Sequence, residues 1–420
     1  MNTAYLVFVL GILSAFGPFV IDMYLPALPE MTQVFDCSTA SVQLGLTFCM
    51  VGLAVGQLFL GPMSDKYGRK SVLYLSLLLY IAATFLCCLS ENIEFFTFAR
   101  FLQGLGGSGA IVYSRSCPTD LYSGRQLAKM IAIVGAVNGI APVAAPVIGG
   151  FCAKFIGWRG IFYALLGIGI VVTAMVIPVK ETLPKSKRIQ GSLLTSFKGF
   201  LLVYEAPGFG IYSTVFGLSM AALFAYISST PFILQDFFGV SQLTFSLIFA
   251  LNAVGIAIGA MLALKVSTTQ KASFIGSLIG FLCAAAGLCI CYFHQDMYIY
   301  EASIFLMLFF CGFIFTGATA TAMNAGRKYA GAASAVIGAV GFIFGGLVSP
   351  IVSWGTILFT SFIICTIALG LSTLLLLVGG EKNMVCLFQR LTITKSRVYV
   401  ICVILHLRSH LFTGQCFEGR

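Results

Sequence analysis

Long apolar runs, each about the length needed to cross a bilayer, restrict the fold of this chain more than any other feature. They fall at 4–28, 42–61, 71–90, 93–117, 127–152, 158–179, 207–230, 243–264, 272–293, 300–323, 331–353 and 356–379. A helix rises about 1.5 Å per residue, so roughly twenty residues reach ~30 Å, the thickness of the hydrocarbon core. Within lipid every backbone N–H and C=O must find its partner inside the segment, as it does in an α-helix. Composition agrees: 59% of the 420 residues are hydrophobic, 9% are charged, and mean hydropathy is +1.01. A soluble domain carries about 25% charged residues. The expected fold is all-α and integral to the membrane, with twelve transmembrane helices. The N-terminus lacks the basic start and small-residue cleavage site of a signal peptide, so the first run is expected to be an uncleaved span.

A net charge of +10 raises the question of a nucleic-acid or acidic-surface partner, and its distribution answers it. With the loop at 61–70 taken as cytoplasmic, all but three of the 24 lysines and arginines fall on that side. Lys154 and Arg159 lie opposite, and Arg100 is inside a span. This bias orients membrane proteins, so both termini are expected in the cytoplasm and no nucleic-acid partner is implied.

One long polar interruption divides the spans six and six. It gives an N-terminal bundle over 1–179, a cytoplasmic connector over 180–206 and a C-terminal bundle over 207–379. A repeat of this kind places a substrate site between the halves, near the bilayer midplane. Glycines echo between the halves: Gly135, Gly139, Gly149 and Gly150 in the fifth span, and Gly338, Gly341, Gly345 and Gly346 in the eleventh. The tail at 380–420 contains the apolar patch VYVICVILHL, too short to span. It reads either as an interfacial helix or, the preferred expectation, as a dispensable or frame-altered ending. Most of the 14 cysteines sit inside apolar runs, so disulfides are not expected. The three histidines show no metal-ligand spacing, and no metal is expected.

Between the second and third runs lies GPMSDKYGRK, from Gly61 to Lys70. It is expected to form a tight turn in which Gly61 and Gly68 admit sharp bends, while Asp65, Lys66, Arg69 and Lys70 supply charge. The stretch resembles the loop joining helices 2 and 3 in the major facilitator superfamily, roughly G-x-L-[ST]-D-[KR]-x-G-R-[KR], with Met63 in place of the usual Leu. That resemblance implies two six-helix halves. In the family the acid of this loop pairs with an arginine at the cytoplasmic end of helix 4 and locks the outward-facing state. By that resemblance Asp65 pairs with Arg115.

Of the 14 acids, Asp22 is the one placed well inside a span; the others, Asp120 and Glu301 among them, fall at or near loops or span ends. A lone carboxylate in that position costs roughly 2.5 kcal/mol or more, so it is expected to face a cavity and serve a purpose. Its surroundings, FGPFVIDMYLPALPEM, resemble the first helix of the Bcr/CflA group of drug-resistance transporters. Those proteins share an acid followed by Tyr-Leu-Pro-Ala-Leu-Pro, here Tyr24 to Pro29. The resemblance covers the first 180 or so residues and continues more weakly to about 379. It implies that Asp22 couples transport to protons.

Arg100, about two turns inside the fourth run, lies within RFLQGLGGSGA. It matches the superfamily's helix-4 arginine motif, with Gln103, Gly104 and Gly106 in register, and the resemblance links it to proton transfer. The fifth run reads GAVNGIAPVAAPVIGG; its Gly135, Gly139, Pro142, Pro146 and Gly149 resemble the antiporter motif. Glycines there let helices approach, while prolines free carbonyls and set a bend. Tyr24, Gln103 and Asn138 are weaker candidates for substrate contact. No nucleotide-binding loop of the form G-x-x-x-x-G-K-[ST] is present.

The expected function is proton-coupled antiport that exports drugs or other small, largely apolar compounds across the inner membrane by alternating access. No enzymatic role and no cofactor beyond the proton gradient are implied. The expected partners are substrate, protons and lipid around a monomer. Export of a metabolite such as an amino-acid derivative or small peptide, and a non-transporting sensor, are the alternatives.

Overall fold

The computed structural model describes residues 3–188 and 193–379, and every regular element among them is helical. The tail at 380–420 lies outside the described residues. The first span is broken into α1 (Thr3–Ser14), α2 (Phe16–Asp22) and α3 (Leu28–Val34), with one tight turn at Leu25–Ala27. Pro26 has no N–H to offer the carbonyl of Asp22, four residues earlier, so the helix loses its ladder just past that carboxylate.

Next come α4 (Thr39–Tyr67), α5 (Arg69–Cys88) and α6 (Ile93–Leu121). The tight turn expected over Gly61–Lys70 is not formed. α4 runs through Gly61 to Tyr67, α5 starts at Arg69, and Gly68 with φ 103° makes the whole turn. Gly61 faces open space. A helix of 29 residues reaches about 43 Å, so α4 is longer than the ~30 Å hydrocarbon core and carries the motif on its last turns.

The chain continues as α7 (Gly124–Ile156), α8 (Trp158–Val176) and α9 (Leu193–Tyr204). α9 lies in the segment read as a polar connector. Val203 at its end is buried with Phe209, Ala322 and Ala333. Then follow α10 (Phe209–Pro231), α11 (Gln242–Ala263), α12 (Thr269–Phe293), α13 (Met297–Ala325), α14 (Ala330–Val348) and α15 (Ile357–Gly379). At the ends away from the basic segments, Ser38, Asn92, Ser241 and Asp296 cap α4, α6, α11 and α13 by accepting from first-turn amides that have no helical partner.

Among the described residues, eleven helical segments are long and apolar enough to cross a membrane. The twelfth expected span is α6, as long as α4 at 29 residues, its apolar character diluted by Arg100, Gln103, Ser108 and a run of glycines.

Glycines set how closely these helices pack, and the two halves use them alike. A Cβ on Gly104 of α6 would lie 2.0 Å from the Cys49 carbonyl oxygen, and one on Gly52 of α4 would lie 2.2 Å from that of Phe101. The pair α11 and α13 repeats the arrangement, with Gly259 at 1.9 Å from the Phe309 oxygen and Gly312 at 2.3 Å from that of Ile256. Without a hydrophobic drive between helices in lipid, such close van der Waals contact is a main source of association. Across the halves, α7 meets α11 where Gly150 faces the Ser246 hydroxyl, and α14 meets α4 where Gly345 faces Met50.

Candidate functional site

Between the halves lies a cavity of about 480 Å³, walled by α1, α2, α6 and α7 on one side and by α10, α11, α13 and α14 on the other. Its surface is mainly aromatic and aliphatic, including Phe216, Phe224, Tyr226, Phe249, Phe315 and Phe342. Polar groups enter at a few points: Ser14, Asp22, Arg115 and Asn138. A mostly apolar wall with a few convergent polar groups suits a small organic ligand. A second crevice of about 560 Å³ between α1, α2, α7 and α8 is lined by apolar side chains and Tyr80, whose hydroxyl donates to the Leu165 carbonyl. It presents no free polar chemistry.

Asp22 is 5% exposed and borders the main cavity at the end of α2. Among the described residues its carboxylate has no hydrogen bond and no ion pair. Arg100 does not meet it. The fully buried guanidinium donates from Nη2 to the Val20 carbonyl at 2.9 Å and from Nη1 to Gln103 Oε1. It lies 4.2 Å from the centre of the Tyr24 ring and 5.8 Å from that of Phe162, an aromatic enclosure that stabilises a desolvated cation. Gln103 passes the connection on to Thr84 Oγ1 at 2.9 Å. Arg100 therefore grips the backbone just before the break in the first span, so its influence on Asp22 runs through the position of α2.

Two of the three candidate substrate contacts are corrected by this geometry. Tyr24 and Gln103 lie behind the cavity wall, one under Arg100 and the other bonded to it. Asn138 does line the cavity. In the antiporter helix, Gly135 and Gly139 make no close approach, since a Cβ on either would meet nothing within 4 Å. Gly139 and Pro142 border the cavity instead. Gly149 is where the helices touch, because a Cβ there would fall 1.7 Å from the Met23 carbonyl oxygen. Gly149→Ala is accordingly expected to force α7 from the broken first span at a cost of about 1–3 kcal/mol. Thermal unfolding in detergent should show a lower midpoint, while Gly135→Ala should be no less stable than the parent.

The basic end holds a second constellation, and it corrects the proposed partner of Asp65. Arg69, buried between α4 and α6, pairs with Asp65 at 2.6 Å and with Asp120 at 2.9 Å, and also donates to Ser64 Oγ at 2.7 Å. Arg115 lies about a turn and a half earlier on α6 than Asp120, on the cavity wall, where Nη1 reaches Gln57 Oε1 at 3.3 Å. The pair is thus Asp65–Arg69, within one helical turn of sequence, and Asp65–Arg115 is not formed. Glu181 completes the cluster. Its carboxylate accepts from the amides of Arg69 and Lys70, the first two of α5, where the helix dipole favours an anion. Lys70 Nζ meanwhile donates to the Ile177 carbonyl.

The profile of the Major Facilitator Superfamily matches residues 8–350. The chain belongs to this superfamily. An uncharacterized MFS-type transporter, YdgK, from Bacillus subtilis is 34% identical over 86% of the chain and 94% of the relative. A bicyclomycin resistance protein homolog from Haemophilus influenzae is 30% identical over 84% and 89% respectively. In three dimensions the xylose transporter XylE from E. coli, in a partially occluded inward open conformation, superposes with a TM-score of 0.68. At 13% identity over 91% of this chain and 98% of that one, it shows the fold.

Within this superfamily chain, the residues that escaped sequence reasoning are Glu181, Asp120 as a partner of Arg69, and Glu301. Glu301 sits inside α13, with Asn252 Nδ2 donating to its Oε1 at 2.6 Å and to the Tyr226 hydroxyl at 3.0 Å. Starting the tenth span at 300 made Glu301 a boundary residue. The N-cap at Asp296, which accepts from Tyr298 and Ile299, was the available signal that the helix begins earlier.

Proposed function

We propose that this multi-pass membrane transporter is a proton-coupled antiporter that exports small, largely apolar compounds by alternating access. The observation that carries the reading is Asp22, an unpartnered carboxyl at the edge of an aromatic-walled cavity between the two halves. Such a group binds a proton when its surroundings are dry and gives it up when water or a cation faces it. An organic ligand and a proton that oppose each other at one cavity exchange across the membrane if the cavity opens to each side in turn. Kinship with a bicyclomycin resistance protein homolog supports a drug-like substrate. The basic faces of the loops support an inner-membrane orientation with both termini cytoplasmic.

The test is uptake into inverted membrane vesicles, using bicyclomycin and a panel of uncharged apolar compounds together with the lipophilic cation ethidium. Accumulation should follow an inside-acid gradient and collapse on adding a protonophore. Uptake that ignores the gradient for every compound overturns the proton coupling.

A further inference from the structure

We infer that Glu301, joined through Asn252 to Tyr226 on the cavity wall, is a second proton-binding site, placed in the half opposite to Asp22. The inference deepens the antiport reading and rests on it.

Asn252 donates to both Glu301 Oε1 and the Tyr226 hydroxyl, yet its own Oδ1 is buried without a partner. Glu301 Oε2 is likewise buried with nothing to accept from. A carboxylate and an amide oxygen are pure acceptors, so the ionised cluster holds two orphaned acceptors and lacks a donor. A proton on Glu301 supplies that donor and removes a charge that has no ion pair among the described residues. The lysines and arginines described in this half, Lys265, Lys271, Arg327 and Lys328, all flank the opposite ends of their helices, and His294, at the same end as Glu301, is exposed beyond the last turn of α12.

The titratable surroundings add no competing cation. Tyr226 of α10 faces Glu301 and also lies within electrostatic reach of Asp22. Tyr300, beside Glu301 on α13, bonds Thr230 of α10 and is near Cys291 of α12 and Cys365 of α15. From α11 the facing group is Asn252, which does not titrate.

Glu301 is not on the cavity surface; Tyr226 is, with its ring stacked on Phe249 at 5.4 Å. Whether Glu301 holds a proton therefore decides what the Asn252 amide does, and through it how the Tyr226 hydroxyl is held where a substrate would touch it. Ligand and proton influence each other reciprocally through this link.

The experiment is an infrared difference spectrum of the purified full chain between acid and alkaline pH, over roughly pH 5 to 9, without added substrate. The buried-carboxyl C=O stretching region should show a band that Glu301→Gln removes and a separate band that Asp22→Asn removes. Gln keeps the oxygen that accepts from Asn252, so the variant is expected to fold, and retention of the Asp22 band confirms that it has. Tyr226→Phe leaves the Glu301 carboxyl in place but deletes the linking hydroxyl. It should keep the Glu301 band and shift its titration midpoint. A spectrum unchanged by Glu301→Gln overturns the site, and an unshifted midpoint in Tyr226→Phe overturns the link to the cavity. Either result leaves the antiport reading standing, because that reading falls on a different measurement, the gradient-independence of export by the parent protein.

Discussion

Asp22→Asn is expected to abolish accumulation driven by a proton gradient. One pH unit is worth about 1.4 kcal/mol per exchanged proton, or about tenfold accumulation of an uncharged compound. The Asn side chain fixes the neutral shape of the carboxyl and removes its titration, so the accumulation ratio should fall to near unity at any imposed gradient. Binding of an uncharged compound should survive, since the cavity wall is otherwise intact and mainly aromatic. Asp22→Glu keeps the titratable group at a displaced position and should retain part of the activity. The measurement is vesicle accumulation as a function of imposed pH difference, with binding measured separately on purified protein. Undiminished accumulation by the Asn variant would show that the coupling does not pass through Asp22.

The second large effect is expected at Arg69. Its side chain is 9% exposed and Asp120 is 11% exposed, so this pair is shielded from water, whereas Asp65 at 37% is partly wet. Arg69→Ala leaves Asp120 buried with Thr182 as its remaining partner and releases Asp65 and Ser64. Removing one partner of a buried pair costs about 3 kcal/mol or more. Arg69→Lys should be intermediate, because an ammonium cannot satisfy Asp120 with the two donors that the guanidinium directs at it. The combined exchange Arg69→Asp with Asp120→Arg should recover part of the loss in thermal stability. By contrast, exchanging Asp65 and Arg115 should recover nothing, since those groups do not meet. An Arg69→Ala protein as stable as its parent would show that the cluster is only loosely formed.

What could be read from the chain alone was whatever a bilayer imposes locally. A run of twenty apolar residues has to be a helix in lipid whatever its neighbours are, so the helical architecture was legible. That Asp22 should border a cavity was legible for the same reason, since the cost of a carboxylate inside a span can be counted without knowing what lies opposite. Kinship in the Gly61–Lys70 stretch and around Asp22 pointed to the superfamily, which the profile match shows.

Partners were not legible. Resemblance linked Arg100 to proton transfer, but nothing in the sequence showed that it would hold the Val20 carbonyl, 80 positions away. Asp65 found Arg69 instead of Arg115 because α4 does not stop at Gly61, and one extra turn and a half of helix moves the whole motif past the cavity end of α6. The glycines of the fifth span look alike in sequence, yet a Cβ on Gly149 would run into a carbonyl while one on Gly135 or Gly139 would meet nothing within 4 Å. Glu301 differs from a boundary carboxylate only in having Asn252 and Tyr226 packed over it from two other helices. In each case the deciding quantity is the distance to, or the burial by, residues remote in the chain. Single-helix periodicity carries no information about that; the crossing of helices in the folded bundle sets it.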